Sequence, residues 1–215
     1  MPRISPQPRE GAADNVRASY DHAFGPDRDP IAQPGTSTGT PGSWYTTWGR
    51  APEIMASFTA LPASTLDPKL RALATIRTGY VRQSQFVFSQ HCKVARVFGV
   101  AEDKIAAVPY WTVSDVYEPV ERAVLGFTDG MTLEGGRVHD HIFALLRAVM
   151  SEEHILALSY HINMYCLHAA TCRALKMEYD DVPERIVEIP RPVEPGVQDW
   201  RSWQWADKAM METKA

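Results

Sequence analysis

Charge of one sign is not in surplus in this 215-residue chain: Lys and Arg number 22, Asp and Glu 26, for a net charge of −4. Without a basic patch there is no electrostatic footprint for DNA or RNA, and no acidic block marks a solvated tail. No stretch reaches about 18 uninterrupted apolar residues, so a membrane span is excluded. The opening MPRISPQPRE holds no apolar signal core, and secretion by that route is not expected. Cysteine is scarce: Cys92, Cys166 and Cys172 make no disulfide framework and suit a reducing cytoplasm. Also lacking are a P-loop, a dinucleotide glycine fingerprint, HExxH, GxSxG and CxxC. The expectation is therefore a protein without a cofactor or metal. What is present, 45% apolar and 22% charged residues, is the balance of a globular protein with a core.

Residues 1–43 read as a flexible N-terminal arm with one short helix. Prolines and a glycine crowd residues 1–12. Val16, Tyr20 and Phe24, at i, i+4 and i+8, make one apolar stripe within 13–24. Residues 25–43 hold four prolines and four glycines and cannot be regular structure. Disorder and an ordered arm on a neighbouring subunit both remain open for them.

From residue 44 the pattern is helical. Segment 44–60 predicts two short helices broken before Pro52. Segment 66–82 opens with Asp67 as N-cap and Pro68 at the first helical position. Segment 83–98 continues the pattern and ends at Gly99. Further helices follow over 101–108, 116–131, 140–150 (with Asp140 as N-cap) and 151–177. No run alternates as a strand, so the fold class is all-α, a bundle of about seven or eight helices. The helical domain spans 44–180. Residues 181–215, with Trp200, Trp203 and Trp205, form a tail expected to pack on the domain or a partner subunit.

His154, His161 and His168 recur every seven residues on the longest helix. Seven residues of helix span about 10 Å, too far for two ligands of one metal. His139 and His141 sit beside a loop and would need a third ligand such as His91. A half-exposed helix face of hydrogen-bonded imidazoles is the plainer reading. His91 lies in FVFSQHCKV, on a stripe with Ser84 and Val87 (or Phe88). It is placed for general acid–base work if a cavity opens beside it, or for a satisfied core position if none does.

The run LDPKLRALATIRTGYVRQSQFVFSQHCKVARVFGVAEDKIAAV, with GSWYTTWGRAPEIMASFTAL before it and YEPVERAVLGFTDGMT and VHDHIFALLRAVMSEEHILALSYHINMYCLHAATCRAL after it, resembles the carboxymuconolactone decarboxylase and alkylhydroperoxidase D-like family over roughly residues 44–180. The resemblance implies an all-α domain that assembles as a homo-oligomer: a dimer, trimer or hexamer. The family's redox branch carries a Glu and then Cys-x-x-Cys-x-x-x-His. These positions fall here on Ala72, Ser84, Val87 and His91, so only the His remains. Peroxide reduction by that route needs two thiols. Cys92 is about 100° around the helix from His91. The decarboxylase branch keeps the His, often with a carboxylate four residues earlier, where this chain has Val87.

The expectation is a cofactor-free lyase or isomerase for a small cyclic or aromatic compound, with His91 as general acid/base. Tyr45, Trp48, Tyr80, Phe88 and Tyr165 would line the site, with Val87 and His161 beside them. Ser84, Gln90 and Tyr165 would orient the substrate. Arg77 would bind a carboxylate or else form a structural salt bridge. The competing expectations are a non-catalytic ligand-binding or scaffold subunit, and a residual thiol oxidoreductase.

Overall fold

A computed structural model describes residues 3–36, 42–59, 66–177 and 186. Among the described residues, nine α-helices and one 3-10 helix are arranged in sequence, and no strand occurs. The order is α1 (Asp14–Phe24), α2 (Ser43–Trp48), α3 (Pro52–Thr59), α4 (Pro68–Val81), α5 (Gln85–Val97), α6 (Glu102–Ala107), the 3-10 helix Val108–Val113, α7 (Pro119–Thr132), α8 (Asp140–Val149) and α9 (Glu152–Leu175). No described helix is long and apolar enough to cross a membrane.

Helix α4 is the centre, with α5, α7 and α9 packed around it. Its start is set as the sequence predicts: Asp67 Oδ1 accepts from the Lys69 N–H at 2.7 Å and Pro68 needs no donor. Leu73, Ile76, Leu125, Leu158 and Ile162 are buried completely around it, each stabilising by about 1.5–3 kcal/mol. The hairpin into α5 depends on Gly79. A Cβ there would stand 2.8 Å from the Phe88 backbone nitrogen, so only glycine lets the two helices close this tightly. Ser84 then sits outside α5 as its N-cap, Oγ accepting from the Val87 N–H at 3.4 Å. The unbroken helical reading of 83–98 is corrected there, because Gln83 adopts φ 51 to make the turn.

Two further expectations change. The segment expected as a loose arm lies along the bundle. Val16, Tyr20 and Phe24 are buried with Met55. The Gln7 N–H donates to the Thr46 carbonyl at 2.8 Å, and the Tyr20 hydroxyl to the Gln7 carbonyl at 2.8 Å. Its apolar stripe has a place to go, and burial outweighs the proline content around it. Asp140 does not cap α8; His139 holds that position without a side-chain bond. The tryptophans expected to pack in the tail lie outside the described residues. Ile186 is the described part of that region, its N–H donating to Gln85 Oε1 at 2.6 Å.

Candidate active site

One face of α5 and one face of α9 build the site. On α5, Val87, Gln90, His91 and Val94 fall at i, i+3, i+4 and i+7. On α9, Tyr165, His168 and Cys172 do the same at i, i+3 and i+7. Each set is therefore one stripe. Both stripes, with Tyr45 of α2 and His22 of α1, line a cavity of about 280 Å³. A second cavity of about 190 Å³ lies on the α4 side, lined by Arg71, Thr75, Phe98, His161 and Met164 among others. His91, Val94 and Tyr165 line both cavities and form the wall between them.

Tyr165 is the hub of three imidazoles. Its ring centroid is 4.6 Å from His91, 4.8 Å from His161 and 5.4 Å from His168. His161 Nε2 is 2.8 Å from Thr75 Oγ1. That hydroxyl donates its own proton to the Arg71 carbonyl at 2.9 Å, so Nε2 carries the proton it shares with Thr75. His168 stands among Trp44, Trp48 and Phe58, its centroid 4.6 Å from Phe58. The half-exposed histidine face expected on α9 is corrected: His161 and His168 are buried, at 8% and 5% exposure. Among the described residues no group of His, Cys, Asp or Glu could hold a metal.

Burial favours neutral imidazole. It holds His91 down to about 3, with repulsion from His161 and His168 adding to it. His161 is held to about 4 by burial and then by the Arg71 charge, and His168 to about 4 by burial. The same burial pushes the Tyr165 phenol up and the Cys172 thiol up to about 12. At neutral pH the site is therefore a set of uncharged imidazoles, a phenol and a protonated thiol. It can exchange protons and hydrogen bonds but offers no thiolate nucleophile.

Of the residues expected at the site, Tyr45, Val87, Gln90, His91 and Tyr165 meet at the larger cavity, and His161 at the smaller. The others are placed elsewhere. Arg77 binds Asp129 through two bonds, at 2.6 and 2.9 Å, and also donates to the Val108 and Pro109 carbonyls. Its donors are used up inside the bundle, as the salt-bridge alternative had it. Phe88, about 100° around α5 from Val87, faces the core with Cys92, and Tyr80 of α4 packs against the same cluster. Ser84 is fully buried as a helix cap. Trp48 backs onto His168 and does not line the cavity. Arg71 and Thr75 were not anticipated from the sequence, and His168 and Cys172, considered there as a metal-ligand candidate and a thiol, were not expected at this site. The i, i+4 spacing of Arg71 and Thr75 was a usable signal for a shared helix face, but nothing local says that the face meets His161.

The carboxymuconolactone decarboxylase family model matches residues 48–130, which include His91. The uncharacterized protein YdfG of Bacillus subtilis (strain 168) is 30% identical over 101 residues, covering 46% of this chain and 69% of the relative. Among solved structures, an Agrobacterium tumefaciens protein of unknown function aligns with TM-score 0.58 at 25% identity, over 62% of this chain and 94% of its own. The alkylhydroperoxidase AhpD core of a peroxidase-related protein from Ralstonia eutropha JMP134 aligns with TM-score 0.67 at 16% identity, over 84% and 93%. A variant of the debrominase Bmp8, in complex with 2,3,4-tribromopyrrole, aligns with TM-score 0.64 at 18% identity, over 83% and 91%. With this relative, this family match and this helical architecture, the chain belongs to the carboxymuconolactone decarboxylase family, with an AhpD-like fold.

Proposed function

We propose that the protein is a lyase or isomerase of small cyclic or aromatic compounds in which His91 moves the proton. The observation that carries this reading is the position of His91, on the wall between two cavities and within ring contact of Tyr165. In an isomerisation His91 removes a proton from a carbon beside a carbonyl and returns it at another carbon of the resulting enolate. In a decarboxylation the C–C bond to the carboxylate breaks and carbon dioxide leaves, the electron pair stays on the ring carbon, and His91, having taken up a proton from solvent once the anionic substrate is bound, delivers it there. Gln90 and Tyr165 line the same space and can hydrogen-bond the enolate oxygen. The apolar lining and the ring-sized volume support a flat substrate. Bmp8 holds 2,3,4-tribromopyrrole, another small ring, in a similar fold.

The test is a liquid chromatography–mass spectrometry screen of cyclic acids, lactones and phenols, followed by His91→Gln. Turnover of the best substrate is expected to fall at least about 100-fold, with an unchanged circular dichroism spectrum. Wild-type turnover in that variant would sink the assignment. One observation favours a non-catalytic ligand-binding role instead: an imidazole held near 3 is a weak base. Tight binding of a screened compound without any turnover would establish that role.

A further inference from the structure

Two arginines of α4 point to opposite fates. Arg77 is saturated by Asp129 and two carbonyls. Arg71, six residues earlier and so about 240° around the helix, lines the smaller cavity. Its Nε is buried with no hydrogen-bond partner, and among the described residues its guanidinium has no carboxylate. We propose that the smaller cavity is a carboxylate subsite, in which Arg71 anchors the acid group of a ring-sized substrate against the Tyr165 and His91 wall. This deepens the reading of His91 as the proton-moving group and rests on it.

Among the described residues no acidic side chain lines this cavity, and its remaining walls are largely apolar, with Val94, Phe98 and Met164. Arg71 is part of this lining and its buried Nε lacks an acceptor; a carboxylate matches a guanidinium fork with two parallel hydrogen bonds once the side chain turns that edge to it. The volume, about 190 Å³, exceeds the roughly 150 Å³ of a dry cavity that takes up benzene. Bound charge also has a consequence for the chemistry. The Arg71 cation helps hold His161 neutral, and an anion placed there offsets it. The same anion beside His91 favours its protonated form and brings the imidazole toward the range where acid–base exchange is efficient.

The experiment is calorimetric titration of the full chain with benzoate and with benzamide, its uncharged counterpart of the same shape. Wild type is expected to bind benzoate at least tenfold more tightly than benzamide. Arg71→Gln should abolish that preference while keeping its affinity for benzamide, which doubles as the check on folding. Arg71→Lys, which keeps the charge without the fork, should retain part of it. No preference in wild type, or a preference that survives in Arg71→Gln, would overturn the subsite. Should Arg71→Gln not fold, full benzoate preference in Arg71→Lys counts against the two-bond anchor and a reduced one supports it. His91→Gln keeps the two readings apart: turnover follows His91, whereas the preference for an anion follows Arg71.

Discussion

Tyr165 meets His91 edge-on, with 4.6 Å between ring centroids and 83° between ring planes. The phenol ring thereby forms part of the wall between the two cavities. Tyr165→Ala should join the cavities into one, seen by crystallography. Water entering there should raise the His91 titration midpoint from about 3 toward the ordinary histidine range, followed by imidazole NMR. Lost packing should cost about 3 kcal/mol in urea unfolding.

Stability should fall as the solution becomes acidic, within a defined window. His161 and His168 titrate near 4 in the fold, against 6.5 when free. Between those values the unfolded chain binds more protons, so stability rises with pH there. The contribution is complete above about 6.5 and lost as pH falls through about 4. At about 1.4 kcal/mol per unit, each buried ring accounts for roughly 3 kcal/mol. Urea midpoints measured from pH 7 to pH 4 should drop steeply, and His161→Gln should flatten the slope.

His168 carries a buried Nε2 without a partner among the described residues, inside a cluster of Trp44, Trp48 and Phe58. An orphaned buried polar atom costs about 1–3 kcal/mol. His168→Phe keeps the ring and removes the orphan. It should stabilise the protein by about 1 kcal/mol at pH 7 and by more at pH 5. A lower melting temperature at both pH values would mean that this nitrogen has a partner.

Arg77 and Asp129 are a buried pair, with side chains 9% and 17% exposed, and Trp111 Nε1 also donates to Asp129 at 2.9 Å. Removing one partner leaves the other charge stranded. Arg77→Ala should lower stability by about 3–5 kcal/mol. Turnover per folded molecule should change little, because Arg77 does not reach either cavity.

The thiols should be inert. Cys92 and Cys172 are buried, at 0% and 2% exposure, and burial also raises the Cys166 thiol. Ellman titration should find no fast-reacting thiol at pH 7 in native protein and three in denaturant. Mild peroxide should leave that total unchanged. Loss of one thiol per chain under peroxide would revive a redox role for Cys172, which lines the larger cavity.

The sequence alone determined the helical architecture, because caps and apolar spacing are local. Asp67 with Pro68, Ser151 before the long α9, and the 3.6-residue stripes each act within a turn or two of chain. It also singled out His91, and the family resemblance placed Ser84 and Val87 where the redox branch has its thiols. Only the tertiary structure decided the rest. Periodicity says which residues share a face but not which face turns toward an opening. Val87 and Phe88 were equivalent by spacing, and packing against Tyr80 sent Phe88 inward. Arg71 and Arg77 looked alike until Asp129, 52 residues further along, took one of them. A cavity is the space that side chains from distant helices fail to fill, so no single segment encodes it.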